Sequence, residues 1–234
     1  MFAAITPAGF VSDPVRFASE SSQLTQNETD PGIQNLRQTI RSGLVSALEV
    51  RRGESVVDFP DPGQSELAIY SFDVVLADFD ALHHAGPREL ADQLFRMCRF
   101  GGRIGLACPS PGSFLARVWQ TVNTYMSPSS VAPYAGFEGT RENLNELFGA
   151  RAKALGAADR AVTFDYSSAE HWLASWVSSY RPLKCAFRLV DPDWRDQLSD
   201  DLIRVARSFA MPVKDTLRIR CDYLECLVHK GLRQ

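Results

Sequence analysis

Four groups able to carry charge or protons, Asp78, Asp80, His83 and His84, follow directly on an apolar run that reads as a buried strand. A carboxylate beside an imidazole can orient it as a general base, and the carboxyl edge of a parallel sheet is where α/β sites form. His83 and His84 are therefore catalytic candidates, although adjacent histidines on a loop equally suit packing or solvent-facing roles. A stable metal centre wants three or four ligands, and no third histidine stands near, so no metal is expected. His171 is a further candidate, in the run Ser167 to Trp172 where a Ser-x-x-Glu capping box opens a helix. Substrate contact and simple capping are both open to it. Trp119, Tyr134, Phe137, Trp172 and Trp176 read either as core or as the walls of a flat apolar substrate pocket.

The cysteines, Cys98, Cys108, Cys185, Cys221 and Cys226, form no C-x-x-C pair. Cys221 and Cys226 share a strand and point to opposite faces, so buried free thiols are expected rather than a metal clip. The chain has 234 residues, 45% of them hydrophobic, enough for a sizeable core and consistent with one domain carrying an elaboration. A formal net charge of −3, from 25 basic and 28 acidic residues, leaves no basic stripe, and nucleic acid is not expected as a partner. No apolar run approaches the roughly 20 residues of a membrane span. The start MFAAITPAGFVSDP lacks the basic opening and long apolar stretch of a signal peptide, so no membrane association and a cytoplasmic location are expected.

These residues need elements to position them. Up to about residue 30 the chain is rich in Ser, Thr, Gln and Asn and reads as an arm. After the stop signal Pro31-Gly32, Ile33, Leu36, Ile40, Leu44 and Leu48 recur at helical spacing. RRGESVVDF supplies a strand, and Phe72 to Ala77 another. Pro87 starts a helix with Leu90, Leu94, Phe95 and Cys98 inward, Gly101-Gly102 ends it, and Arg103 to Cys108 is the next strand. Further on come helices over 114–125 and after Thr140, a strand over 162–166, the helix with Trp172 and Trp176, a helix over 196–209 and a last strand over 217–229.

The block from Phe72 to Cys108, with RRGESVVDF upstream and Tyr223-Leu224-Glu225 in the last strand, resembles the class I S-adenosylmethionine (SAM) dependent methyltransferases, closest to their ubiquinone/menaquinone branch. The resemblance covers about residues 33 to 230 and implies a Rossmann-like α/β fold. It implies that Asp58 opens the glycine-rich cofactor loop, with Gly63 in that loop and Asp78 at the neighbouring strand end. Here the loop reads Pro60-Asp61-Pro62-Gly63-Gln64, in which two prolines remove N–H donors and Asp61 adds negative charge. Only Pro60 to Phe72 separate the first strand from what resembles the family's fourth, whereas a βα unit with its return strand needs about 30 residues.

The second and third strands are therefore expected to be missing. The family order 3-2-1-4-5-7-6 then reduces to 1-4-5-7-6, a truncated, mostly parallel sheet with helices on both faces. An arm over 1–30 would precede the domain at 31–234, with a helical cap inserted at about 114–160. Asp58, Gly63 and Asp78 become vestigial cofactor-binding residues, with no cofactor expected and SAM only if the ancestral activity persists. Two functions follow: a non-catalytic or auxiliary subunit of a methyltransferase or small-molecule biosynthetic complex, or an active enzyme on a small aromatic or apolar metabolite, with or without SAM. Strand 1 becomes an edge on which Val56, Val57 and Phe59 are expected to be exposed. The amino-terminal arm, through Phe2 to Phe17, could cover it, or a second chain could, in a homodimer or in a heteromer with an intact methyltransferase or biosynthetic enzyme.

Overall fold

In the computed structural model residues 30–59, 69–83, 86–126 and 138–232 are described. Helix α1 (Pro31–Ala47) starts on Asp30, whose carboxylate accepts the backbone N–H groups of Gly32 (2.8 Å) and Ile33 (3.1 Å). An aspartate N-cap followed by proline in the first turn is a start signal. Pro31-Gly32 therefore opens the helix instead of standing before it as a stop. Ile33, Leu36, Ile40 and Leu44 form its buried stripe, which lies across one face of the sheet.

The sheet contains β1 (Val56–Phe59), β2 (Phe72–Ala77), β3 (Cys98–Pro109), β4 (Ala152–Tyr166) and β6 (Leu217–Lys230) in the spatial order β1-β2-β3-β6-β4. β1, β2 and β3 run parallel, and β6 is antiparallel to both of its neighbours. This is the order 1-4-5-7-6 reached by removing two strands from the parent sheet. A short strand, β5 (Ala210–Met211), adds to the end of β6. The helices are α2 (Pro87–Met97), α3 (Phe114–Thr124), α4 (Arg141–Leu144, continuing as a π turn to Gly149), α5 (Ala169–Ser179), α6 (Arg181–Leu189) and α7 (Arg195–Ser208).

Several expectations change in detail. β4 begins at Ala152, so the last part of the span expected as a cap, 114–160, belongs to the sheet. Its small residues carry little strand propensity, and pairing along the whole of β6 makes them a strand. α6 was not anticipated at all. Helix α2 already ends at Met97, and the glycine pair lies inside β3, where Gly101 takes φ +74° and the register with β2 shifts. The pair thus serves a bulge in the strand instead of the helix-to-strand turn.

The expected apolar patch on the edge strand is also corrected. Val57 and Phe59 are 3% and 5% exposed, and Val56 is half-buried against the core. The pleat explains this, since Asp58 turns to the arginines of α1 and its two neighbours turn to the opposite, packed face. Among the described residues β1 pairs with β2 alone.

The interior is strongly aromatic. Phe114 stands with its ring centroid 5.2 Å from Trp172, 5.6 Å from Phe164, 5.7 Å from Phe209 and 6.2 Å from Trp176. At the other end of the sheet the buried Lys230 ammonium donates to the carbonyls of Phe95 (2.6 Å) and Cys98 (2.8 Å), closing the end of α2. It rests on the rings of Tyr70 (4.2 Å) and Phe100 (4.5 Å). All five cysteines are free and buried, as expected, and burial pushes the Cys221 and Cys226 thiols up to about 12.

Candidate functional site

A cavity of about 650 Å³ opens at the carboxyl ends of β1 and β2, with α1 as one wall. Gln34, Arg37, Arg41, Asp58, Phe59 and Asp78 are among the residues that line it. Arg37 and Arg41 are four apart on α1, so one helical face carries both guanidinium groups over the strand ends. Arg41 Nε donates to both carboxylate oxygens of Asp58, at 2.9 and 3.0 Å. Arg37 donates to Asp80 and stands 4.0 Å from Asp78. Asp58 lies near the end of β1 and Asp78 and Asp80 just past the end of β2, and the two hydrogen-bonded pairs span 17 and 43 residues of sequence. That separation hid Arg37 and Arg41 from sequence reasoning, although their spacing on one helix face was a signal.

Asp78 Oδ1 accepts the backbone N–H of Asp80 at 2.9 Å. Burial, and then the neighbouring Asp80 carboxylate, push the Asp78 carboxyl up to about 7 against the pull of Arg37. Its folded value therefore lies above the ordinary carboxyl value near 4. The linked stability is full at low pH and declines as pH rises from about 4 through 7. Asp78→Asn should remove that decline and stabilise the protein at pH 8 by on the order of 2 kcal/mol, because the side chain keeps 26% of its surface and solvent screens part of the effect. Urea unfolding of both proteins at pH 5 and pH 8 measures this, and equal slopes with pH would contradict it.

α1 is fixed at its start as well. Asp30 accepts hydrogen bonds from Tyr166 (2.6 Å) and Ser175 (2.6 Å), and the Trp176 indole N–H donates to the Tyr166 oxygen at 2.8 Å. The same carboxylate thus caps α1 and ties it to the end of β4 and to α5.

The other candidates fall elsewhere. His83 is 4% exposed, packed on the Trp119 ring at 4.4 Å with Nε2 3.5 Å from the Tyr180 hydroxyl, and it does not line the cavity. His171 is exposed in the first turn of α5. Its Nδ1 lies 2.9 Å from Ser167 Oγ and its backbone N–H donates to the Ser168 cap at 3.1 Å. Trp119, Trp172 and Trp176 are buried packing residues, and none lines the cavity. His84, Gly63, Tyr134 and Phe137 lie outside the described residues. Of the anticipated residues, the structure brings Asp58 and Asp78 together at one cavity. Among the described residues no group of three or more His, Cys, Asp or Glu could hold a metal ion, and no helix is long and apolar enough to cross a membrane.

This geometry can be set beside known structures. A protein assigned as a methyltransferase from an antibiotic biosynthesis pathway of Anabaena variabilis superimposes with a TM-score of 0.54 at 13% identity, over 87% of this chain and 99% of its own. A protein assigned as a methyltransferase from Bacillus halodurans gives 0.39 at 14% identity over 73% and 69% of the two chains. A SAM-dependent methyltransferase from Thermotoga maritima gives 0.36 at 13% identity over 71% and 59%. The chain has the class I methyltransferase-like fold, Rossmann-like and with a mostly parallel open sheet. No family model matches the sequence, and no curated protein matches it.

Proposed function

We propose that this protein uses the methyltransferase-like fold without ordinary SAM binding, as a non-catalytic or auxiliary subunit of a methyltransferase or small-molecule biosynthetic complex. The pairing of Asp58 with Arg41 carries this reading. Asp58 stands where the resemblance puts the acid that opens the cofactor loop, and both of its oxygens are held by one guanidinium. Arg37 bonds one oxygen of Asp80 and stands 4.0 Å from Asp78. SAM brings a sulfonium and an ammonium against a single carboxylate, so it would meet two like-charged arginines, and among the described residues Asp58 and Asp80 are already bonded to those arginines. Among the described residues this pairing does not fit the cofactor.

The partner reading rests on β1, whose outer side has no pairing strand among the described residues. An exposed strand edge is a template for association, and a homodimer or a complex with an intact methyltransferase or biosynthetic enzyme would use it. Isothermal titration of the purified chain with SAM and with S-adenosylhomocysteine tests the central claim. No measurable heat of binding is expected. A dissociation constant in the low micromolar range, on the order of −8 kcal/mol, would overturn it.

A further inference from the structure

The charged side chains among the described residues lining the cavity beside α1 balance in sign, Arg37 and Arg41 against Asp58 and Asp78. None of the four faces it alone. Arg41 Nε holds both oxygens of Asp58, at 2.9 and 3.0 Å, while Arg37 bonds Asp80 and stands 4.0 Å from Asp78. The side chains of Arg41 and Asp58 are 44% and 56% exposed, which sets this pair at the mouth of the cavity. The floor is apolar, made by the buried side chains of Ile40, Leu44, Phe59 and Leu76. On the α1 wall Gln34, Asn35 and Gln38 add carboxamides, groups that donate and accept hydrogen bonds without carrying charge.

We propose that this cavity binds an uncharged small molecule with an apolar body and a carboxamide-like polar head, and that the Arg41–Asp58 pair enforces the absence of charge. An anion can use Arg41 only by taking it from Asp58, which leaves a carboxylate uncompensated beside the ligand, and a cation meets the mirror-image problem. A neutral head breaks no pair. The carboxamide side chains exchange water for it while the apolar body covers the floor. A volume of about 650 Å³ is ample for such a molecule. This selectivity rests on the reading given above, in which the same pairing opposes SAM, and it adds what the cavity takes in its place.

Indoleacetamide, indoleacetate and tryptamine share one apolar body and differ in the charge of the head, so together they read this selectivity. Saturation-transfer NMR titrations with the full chain should give indoleacetamide a dissociation constant lower than that of either charged probe by roughly fivefold or more, the scale of a half-exposed charge pair. Asp58→Asn releases Arg41 and should turn the preference toward indoleacetate. Arg41→Gln releases Asp58 and should turn it toward tryptamine. Both side chains are half exposed, so neither change should cost the fold, and circular dichroism of each variant checks this. The double variant removes both charges and should prefer indoleacetamide again. The proposal is overturned if indoleacetamide does not bind saturably, if the three probes bind the unmodified chain equally, or if the two single variants keep the same preference. A chain that binds neither indoleacetamide nor SAM overturns this proposal and leaves the reading against the cofactor standing, whereas binding of SAM overturns that reading itself.

Discussion

Replacing Asp30 with alanine should destabilise the protein by about 3 kcal/mol, since it removes a helix cap and two hydrogen bonds to a charged acceptor together. For a chain of this length that corresponds to a fall of about 10 °C in melting temperature. Asp30→Asn keeps a capping oxygen and should cost about half as much, on the order of 1.5 kcal/mol. Burial alone would raise the Asp30 carboxyl, but hydrogen bonds from Ser175, Tyr166 and the backbone of Ile33 and Gly32 outweigh it and hold the group below its ordinary value. The stability linked to a depressed carboxyl is full above the unfolded value near 4 and is lost as pH falls through the folded one. The gap between the unmodified chain and Asp30→Asn should therefore narrow below about pH 4. Differential scanning calorimetry at pH 3.5 and pH 7 reads both effects, and a gap that stays constant would show that the carboxylate charge is irrelevant to the clamp.

A second large effect is expected at the glycine pair of β3, with an order that propensity alone does not give. At Gly102 a Cβ would lie 2.7 Å from Cys98 Sγ, 2.8 Å from the Asp73 carbonyl oxygen and 3.0 Å from that of Arg99. Two of these neighbours are backbone and cannot swing aside, so Gly102→Ala should cost about 3 kcal/mol through overpacking. Gly101 has the left-handed φ of +74°, but its Cβ would meet only side-chain ends, Leu232 Cδ2 at 3.1 Å and Arg99 Nη1 at 4.0 Å. Gly101→Ala should cost about 1 kcal/mol, the penalty of placing an L-residue in the left-handed region. Denaturant unfolding of the two variants measures the ranking directly, and equal losses would mean that the strand around Gly102 relaxes freely.

The pair also illustrates how far the sequence could be read. Its two adjacent glycines marked a break after a helical pattern, but only the neighbouring backbone of Asp73, brought in by β2, reveals which glycine is sterically required. Strand order followed from matching Phe72–Cys108 and Tyr223–Glu225 to a family and subtracting what Pro60 to Phe72 is too short to contain. Helix α1 was legible from the period of Ile33, Leu36, Ile40 and Leu44, while its Asp30 cap was hidden because Pro31-Gly32 reads as a break as readily as a first turn. The site was half legible. Asp58 and Asp78 mark strand ends, but the arginines that neutralise them sit on a helix earlier in the chain and meet them only in the folded sheet. Helix α6 had no signal beyond Pro182, since it is short and its apolar residues complete barely two turns.

The clamp at Asp30 has a consequence for the order in which the molecule assembles. Its partners Tyr166 and Ser175 lie 136 and 145 residues further along the chain. During synthesis α1 is the first described helix to emerge, yet the strand end and helix that fix its start are made only after most of the protein has followed. Contacts of such long range close late. Throughout that interval the stripe of Ile33, Leu36, Ile40 and Leu44 faces water or whatever else will cover it, and the nascent chain is most exposed to misassociation at the helix that later walls its cavity.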